Sequence, residues 1–235
     1  MTLKNDSTDS CLYLVGTPIG NLGDMTFRAV EILKNSDSIA CEDTRNARKL
    51  MERFEIKTKL FICHDHNEGQ VASQIADSIE QGQTISLISD AGMPAISDPG
   101  FRVVRECRKR GIKVVPIPGP CAAITALAAS GLPSDRFHFV GFLPPKKAAR
   151  LRNFEALKDN ESSLIFYEST HRILKFLDDA IEVFGKERWI SMGRELTKLH
   201  ETILTGTLGH VREELNTRST KGEFVVIIAK KEYTL

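Results

Sequence analysis

The chain has no apolar run long enough to cross a bilayer, no Cys-x-x-Cys pair and no excess of charge of one sign. Its 235 residues carry 32 basic and 31 acidic side chains, which gives a formal net charge of +1 at pH 7. Proteins that coat nucleic acid by charge alone must neutralise many phosphates. The balanced charge excludes that class of protein, but it does not exclude a local basic patch. Because a spanning helix needs about 20 apolar residues, we expect no membrane insertion.

The cysteines are too few and too irregularly spaced to form a disulfide framework. There are five of them, an odd number, and Cys41 and Cys63 end apparent strands, where a free cysteine serves as a small apolar residue. Residues 1–10 are polar and acidic, unlike a secretory signal peptide. We therefore expect a cytoplasmic protein in a reducing compartment.

Standard nucleotide-binding and hydrolase motifs are also missing. The glycines of the first loop, Gly16, Gly20 and Gly23, match neither Gly-x-Gly-x-x-Gly nor a P-loop, and there is no Gly-x-Ser-x-Gly. His64 and His66 suggest a metal site, but side chains at this spacing point to opposite sides of a strand and no third ligand stands at a suitable distance in sequence. We expect no metal here and favour a polar surface loop or a loop that contacts RNA.

What the chain does contain is a regular alternation of short apolar strands and amphipathic helices. Strands are predicted at 12–16, 38–41, 59–63, 84–88, 113–117, 138–142, 163–167, 189–193, 201–206 and 224–228. Helices are predicted from about Phe27 and at 46–54, 71–81, 101–110, 121–130, 146–157, 173–184 and 208–215. This alternation is typical of an α/β protein with a mainly parallel sheet and helices on both faces. A break near Gly131 predicts two α/β domains, 1–132 and 133–235, with a mixed sheet in the second.

The segment 86–100 is the most informative part of the chain. A β-branched strand breaks into a loop with two prolines, two glycines and the two aspartates Asp90 and Asp98. Asp98 followed by Pro99 predicts a helix start, with Asp98 as the N-cap. Open α/β sheets form ligand sites at the carboxyl ends of their strands, and two carboxylates suit the hydroxyls of a ribose. The alternative is a turn whose aspartates only satisfy the backbone.

Three other polar loops follow predicted strands, at residues 17–24, 42–45 and 116–123, and are expected at the same edge of the sheet. The small residues of the last loop allow a ligand to approach a helix N-terminus, where free N–H groups favour an anionic group such as a carboxylate. The densest basic cluster free of acids lies on the predicted helix 146–157. A solvated helix face is the alternative to RNA contact there.

Eleven short motifs lie in order between about residues 12 and 230. They are TPIGNL (17–22), EDTR (42–45), HDHNE (64–68), SDAG (89–92), ISDPG (96–100), PGPCAA (118–123), LPSDRF (132–137), GFLP (141–144), FYESTHR (166–172), RELTK (194–198) and KGE (221–223). On these motifs the sequence closely resembles the small-subunit rRNA methyltransferases, an RNA-modifying branch of the tetrapyrrole methylase superfamily.

The resemblance implies two α/β domains of the tetrapyrrole methylase type, mainly parallel in the first and mixed in the second, with S-adenosylmethionine in the cleft between them. It implies an enzyme that methylates the ribose 2′-hydroxyl of a cytidine in the decoding region of 16S rRNA in the small ribosomal subunit. It also implies a homodimer. By family position, the cofactor-binding residues would be Asp90, Gly92, Met93, Ile96, Ser97, Asp98, Cys121, Ala122, Tyr167, Met192, Glu223 and Phe224.

A ribose hydroxyl is a poor acid, so a base within about 3 Å would assist methyl transfer to it. The unranked candidates for this base are Asp43, His66, Glu168 and Glu195. The residues expected to contact RNA are Arg45, Lys146, Lys147, Arg150, Arg152 and Arg172. For Arg45 the alternative is an ion pair with Glu42 or Asp43, and for Arg172 one with Glu168 or Glu195.

Other functions remain open on the sequence alone. A corrin or porphyrin methylase of the same superfamily, a methyltransferase that modifies a protein side chain, and a non-catalytic cofactor-binding module would share the same fold. The EDTR and HDHNE motifs fit the RNA branch better. Family members commonly continue past the last strand into a small helical segment, whereas this sequence ends at Leu235. If that segment helps hold RNA, we expect lower RNA affinity or specificity for this sequence. The expectation for cofactor binding is unchanged.

Overall fold

The computed structural model of the chain describes residues 10–234. The prediction about a signal peptide concerns residues 1–10 and therefore falls almost entirely outside this range. The chain divides into two compact units, the first ending at Cys121 and the second beginning at Ala122. Each unit contains one five-stranded sheet.

The first unit is a parallel sheet covered by helices. Its strands are β1 (Leu12–Val15), β2 (Ser38–Cys41), β3 (Lys59–Ile62), β4 (Ile85–Leu87) and β5 (Val114–Ile117). Its helices are α1 (Phe27–Asn35), α2 (Thr44–Arg53), α3 (Glu68–Glu80) and α4 (Phe101–Lys109). The strand order is β3-β2-β4-β1-β5, and every neighbouring pair is parallel. Parallel neighbours need crossover connections, which the helices provide.

Alternation along the strands divides the first core between the two faces of the sheet. Tyr13 packs with the buried residues of α1 and α2, whereas its neighbour Leu12 packs with those of α3 and α4. Successive side chains of a strand point to opposite faces, so a strand that is covered on both sides is apolar throughout. The predicted parallel sheet with helices on both faces is confirmed.

The second unit holds a mixed sheet. Its strands are β6 (Phe137–Phe142), β7 (Ser163–Ser169), β8 (Trp189–Arg194), β9 (Thr202–Thr207) and β10 (Glu223–Ile228). Its helices are α5 (Ala122–Ala129), α6 (Lys147–Leu157), α7 (Ile173–Phe184) and α8 (Leu208–Glu214). The order is β6-β7-β10-β8-β9; β6 is parallel to β7, and the other pairs are antiparallel. This confirms the mixed sheet.

Aromatic side chains form the centre of the second core. Phe154 of α6 meets Phe166 of β7 and Phe176 of α7 edge to face, with ring centroids 5.7 and 5.1 Å apart. All three are fully buried, and each contributes about 1.5–3 kcal/mol by leaving water. Helix α5 packs against β7 and β10 of this unit. A boundary between residues 132 and 133, predicted from the Gly-Leu-Pro sequence that follows this helix, places the helix in the first domain instead.

Two findings bear on the class of protein. Across residues 10–234 no helix is both long enough and apolar enough to cross a bilayer. Of the five cysteines, Cys11, Cys41, Cys63 and Cys107 are buried and Cys121 is half-buried.

Candidate functional site

The loops after β1, β4 and β5 are held together at the carboxyl edge of the first sheet. The backbone of Thr17 exchanges two hydrogen bonds with that of Gly92, at 2.9 and 3.0 Å. Gly16 and Gly119 lie so close that a Cβ on either would come within 2.8 Å of the other's Cα. Only glycine fits at both positions, because no larger residue avoids this contact. The predicted meeting of these loops at one edge therefore occurs within the first unit.

The loop that follows β4 is strained and turned outward. Ala95 and Ser97 have φ values of 69° and 60°, a left-handed region that costs residues with a side chain about 1–3 kcal/mol. Between them Ile96 is 48% exposed, and Asp90 and Ser97 also face solvent. The loop thus presents a carboxylate, a hydroxyl and an apolar side chain together. Strain of this kind clusters at ligand sites.

Helix α4 does not begin as predicted, and the assignment of Asp98 as its N-cap is wrong. The helix begins at Phe101 after Gly100, which makes no side-chain cap. The buried carboxylate of Glu68 takes that role, since its Oε1 accepts from the N–H groups of Gly100 at 2.9 Å and Arg102 at 2.7 Å, with Val103 at 3.4 Å. An acid from the neighbouring helix α3 therefore satisfies the free donors of α4.

Asp98 is released from capping and lies among other acids. Burial, together with the nearby carboxylates of Glu42 and Asp90, raises the pKa of Asp98 to about 7, partly offset by a hydrogen bond from Ser89. Burial also raises the pKa of Glu42, which Asp90 and Asp65 raise further. This edge of the first sheet thus contains a carboxyl group that exchanges its proton near neutral pH.

The HDHNE motif forms a closed turn between β3 and α3. The side chain of Asn67 accepts from the N–H of His64 at 2.8 Å and donates to the carbonyl of Ile62 at 3.2 Å. Asp65 and His66 are exposed. Across residues 10–234 no group of three or more histidine, cysteine or acidic side chains is arranged to hold a metal ion.

Asp43 and Arg45 of the EDTR motif are engaged with each other. The Asp43 carboxylate caps α2 by accepting from the N–H of Arg45 at 2.8 Å, and it also accepts from that residue's guanidinium at 3.0 Å. These hydrogen bonds lower the pKa of Asp43 to about 2. The ion pair considered as the alternative for Arg45 is therefore present in the structure.

A small cavity opens beside α2 in the first unit. Its volume is about 220 Å³, and Asn46 and Asp90 form part of its polar rim, with Asn46 Nδ2 donating to Asp90 Oδ2 at 2.8 Å. The lining residues are Thr17, Pro18, Leu22, Asn46, Ala47, Lys49, Leu50, Ile88, Ser89 and Asp90. The sequence predictions did not include Asn46, although it directly follows the EDTR motif.

The expected cofactor residues of the second unit differ in what they expose. Met192 and Phe224 are buried in the core of that unit, so their side chains serve packing. The hydroxyl of Tyr167 accepts from the N–H of Ala123 at 3.3 Å. Glu223 is exposed and accepts from Lys198 at 2.8 Å.

Two base candidates of the second unit are held by cations. Glu168 is buried and accepts from Arg172 at 3.0 Å and from the N–H of Ser169 at 2.8 Å. Burial acts to raise the pKa of Glu195, but hydrogen bonds from Lys198 and from the N–H of Glu223 outweigh it, and the pKa is lowered. The ion pair considered as the alternative for Arg172 is present.

The predicted RNA-contact cluster on α6 is only partly available. Lys146 and Arg152 are exposed, and Lys147 pairs with Glu182 at 2.9 Å while remaining 61% exposed. Arg150 is 3% exposed; it pairs with Asp179 and donates to the carbonyl of Pro145 at 3.2 Å. Because its guanidinium faces the interior, we withdraw Arg150 from the RNA-binding set.

The structure thus places the predicted site residues of the first unit at one edge of its sheet. The other predicted residues lie in the second unit. Asp90, Gly92, Met93, Ile96, Ser97 and Asp98 lie on the loop after β4, Asp43 lies on the loop after β2, and Arg45 lies in the first turn of α2. Sequence reasoning missed Glu68 as a helix cap and Asn46 as a partner of Asp90. The HDHNE motif drew attention to Glu68 in the sequence. The role of its carboxylate as an acceptor, however, depends on helix α4, more than 30 residues further along the chain.

Comparisons with known proteins agree with this architecture. The family model for tetrapyrrole (corrin/porphyrin) methylases matches residues 11–212. A protein of Escherichia coli O157:H7 named ribosomal RNA small subunit methyltransferase I is 51% identical over 227 residues, which cover 95% of this chain and 79% of that protein. A protein of the same name from Pasteurella multocida is 53% identical over 222 residues, 94% of this chain and 79% of its own length.

Solved structures share the fold at much lower identity. The crystal structure of diphthine synthase aligns with a TM-score of 0.71 and 14% identity over 93% of this chain and 89% of that one. The predicted tetrapyrrole methylase fold is confirmed by this likeness and by the family match. Since the family model spans most of the chain and relatives above 50% identity cover nearly all of it, the chain belongs to the tetrapyrrole (corrin/porphyrin) methylase family.

Proposed function

We propose that the chain is an S-adenosylmethionine-dependent methyltransferase that methylates the ribose 2′-hydroxyl of a cytidine in the decoding region of 16S rRNA. The observation that carries this proposal is the name shared by relatives about half identical to this chain over nearly its whole length. A solved uroporphyrin-III-C-methyltransferase and diphthine synthase have the same fold but are only 18% and 14% identical. This difference supports the RNA substrate over a tetrapyrrole or protein substrate.

The loop after β4 fits the cofactor chemically. Its half-buried carboxyl at Asp98 suits ribose hydroxyls, and the exposed side chain of Ile96 suits the apolar part of a nucleoside. When bound, S-adenosylmethionine supplies an electrophilic methyl group on a sulfonium. In the second unit Tyr167 offers an aromatic side chain, whereas Met192 and Phe224 are buried in the core. Most of the rate enhancement should come from alignment of the reacting atoms.

We assign the base for the ribose hydroxyl to His66. Asp43, Glu168 and Glu195 each accept hydrogen bonds from a cationic side chain, which makes them poor proton acceptors. The His66 side chain is exposed, and across residues 10–234 no hydrogen bond commits it. An imidazole is well matched to proton transfer near neutral pH.

RNA contact is assigned to the cationic side chains that remain exposed. Lys146, Lys147 and Arg152 lie at and along the first turns of α6, and Arg45 lies at the start of α2. Contacts of this kind to phosphate position the RNA without reading its sequence. The net charge of +1 favours a structured target recognised by shape, such as the small ribosomal subunit.

We further propose that the protein acts as a homodimer in the cytoplasm, where ribosomal subunits are its substrate. Phe27 is 97% exposed beside an apolar hollow that includes Met25, Val30 and Phe54. A side chain of this size in an apolar surface is typical of a protein–protein contact.

The proposed function is tested by incubating the protein with methyl-labelled S-adenosylmethionine and small ribosomal subunits, followed by nuclease mapping of the rRNA. The expected product carries one label, on the 2′-oxygen of a decoding-region cytidine. If a porphyrinogen or a ribosomal protein is labelled instead of the rRNA, the proposed RNA substrate is wrong. Cofactor binding without any transfer would indicate a non-catalytic module.

A further inference from the structure

We propose that the cavity beside α2 is a subsite for the amino edge of a nucleobase, which Asn46 and Asp90 recognise. This inference rests on the proposed function, because both sources of such a base occur in that reaction. The cavity volume of about 220 Å³ is below the roughly 300–1,000 Å³ of pockets that enclose drug-sized ligands. It therefore suits a single ring system better than a whole nucleoside.

The walls of the cavity suit the faces of a flat ring. Ala47 and Leu50 of α2 and Ile88 after β4 are buried apolar residues of the first core and line it. Leu22, 42% exposed, adds an apolar side chain at the mouth. Ring-shaped ligands are commonly held by apolar walls and oriented by a few polar groups.

The polar groups form a donor beside an acceptor. Asn46 Nδ2 donates one hydrogen to Asp90 Oδ2 at 2.8 Å, which leaves its second amide hydrogen free. Across residues 10–234 Asp90 Oδ1 accepts no hydrogen bond. The bond between the two side chains fixes their orientation, and Asp43 caps the helix that holds Asn46. A rigid support of this kind is what a binding site requires.

This pattern matches an amino-substituted ring. Adenine and cytosine each place an exocyclic amine, a donor, beside a ring nitrogen that accepts. The amine would donate to Asp90, and the ring nitrogen would accept from Asn46. Uracil and hypoxanthine carry a carbonyl and a ring N–H at these positions. The carbonyl would face the Asp90 carboxylate, acceptor against acceptor, and the ring N–H would face the Asn46 amide hydrogen, donor against donor. A paired contact to a base edge discriminates against the base with the opposite pattern.

Two bases of the proposed reaction have this edge. One is the adenine of the cofactor, and the other is the target cytosine, extruded from the RNA as enzymes that modify nucleotides commonly do. The chemistry of the subsite is the same for both, so the experiment must separate them.

The test has two arms, each comparing an amino with a keto base. Calorimetry compares binding of S-adenosylhomocysteine with that of S-inosylhomocysteine. Methylation assays compare small subunits that carry the target cytidine with subunits in which it is replaced by uridine. The variants are Asn46→Ala and Asp90→Asn, and Glu52→Gln on the exposed face of α2 is the control. Thermal melting verifies that each variant is folded.

We expect the wild type to prefer the amino form in one arm and both variants to reduce that preference about 10-fold, the equivalent of 1.4 kcal/mol, with Glu52→Gln unchanged. The arm that responds identifies the base. If the wild type binds S-adenosylhomocysteine and methylates subunits while neither variant changes either preference, the subsite is overturned and the proposed function stands. If the wild type does neither, both proposals are overturned.

Discussion

Asp98 shows at the residue scale how the fold changes the chemistry of one side chain. Its pKa of about 7 is due first to burial and then to the charges of Glu42 and Asp90. An unfolded aspartate has a pKa near 3.9, so between about pH 4 and pH 7 the folded protein binds more protons than the unfolded chain. Stability therefore falls as pH rises through this window.

Replacing this carboxyl with a neutral amide should remove the penalty. We expect Asp98→Asn to raise the melting temperature at pH 8 by about 2–4 °C, which corresponds to about 1 kcal/mol in a chain of this size. The gain should shrink towards pH 5, where the wild-type carboxyl is largely protonated when folded. Calorimetric scans of both proteins from pH 5 to pH 8 measure this difference. A gain that does not depend on pH would contradict the assigned titration.

His66 can be tested as the base by separating catalysis from binding. We expect His66→Ala to lower kcat for subunit methylation by about 10²–10⁴-fold, the usual contribution of a general base, with little change in cofactor affinity. Asp65→Asn, on the same exposed turn, is the matched control. Full activity of His66→Ala would exclude this residue.

At the scale of elements, Glu68 joins α3 to α4. Its buried carboxylate receives N–H groups from the first turn of α4, and it directly follows the turn that presents His66. This side chain therefore fixes the end of the strained loop after β4, at Gly100. The position of the loop depends on this contact, since Gly100 itself provides no side chain to cap the helix.

Shortening this side chain should loosen the start of α4. We expect Glu68→Ala to destabilise the protein by about 1–3 kcal/mol, because it leaves buried N–H donors without an acceptor, and to weaken cofactor binding as well. Glu68→Gln keeps an acceptor oxygen and should recover most of both. Hydrogen exchange at Arg102 and Val103 and calorimetry with S-adenosylhomocysteine measure the effects. The control is Ile79→Ala in α3, which should lose a comparable amount of stability but leaves the cap of α4 in place. If Ile79→Ala and Glu68→Ala lose equal cofactor affinity, the cap does not control cofactor binding.

Short-range sequence patterns predict the elements well but not the contacts between them. The centre of β7, residues 164–167, is aliphatic and aromatic, and Ile173–Phe184 has a clear helical stripe, so both elements lie where the pattern indicates. The cap of α4 was wrong because Asp-Pro is a strong local signal, while the acceptor that replaces it is distant in sequence. The sequence does not distinguish Arg150 from its basic neighbours. The guanidinium is directed to the interior by Asp179 of α7, which is distant in sequence.

At the scale of the whole molecule, Phe27 tests the proposed homodimer. A charge on this exposed ring position should oppose burial in an interface, whereas it costs little on a free surface. We expect Phe27→Asp to shift the molar mass measured by light scattering from dimer to monomer, with unchanged secondary structure by circular dichroism. A wild type that is monomeric at micromolar concentration would contradict the homodimer.

The place of β1 in the first sheet has a consequence for how the protein is made. The neighbours of β1 are β4 and β5, so one edge of β1 has no partner until Leu87 has left the ribosome and the other edge has none until Ile117 has. Sheets built from such distant pairs close slowly, since the intervening chain must first be ordered. During translation the edge of β1 that pairs with β5 therefore remains open until β5 has emerged, and this is the interval in which a chaperone would be needed most.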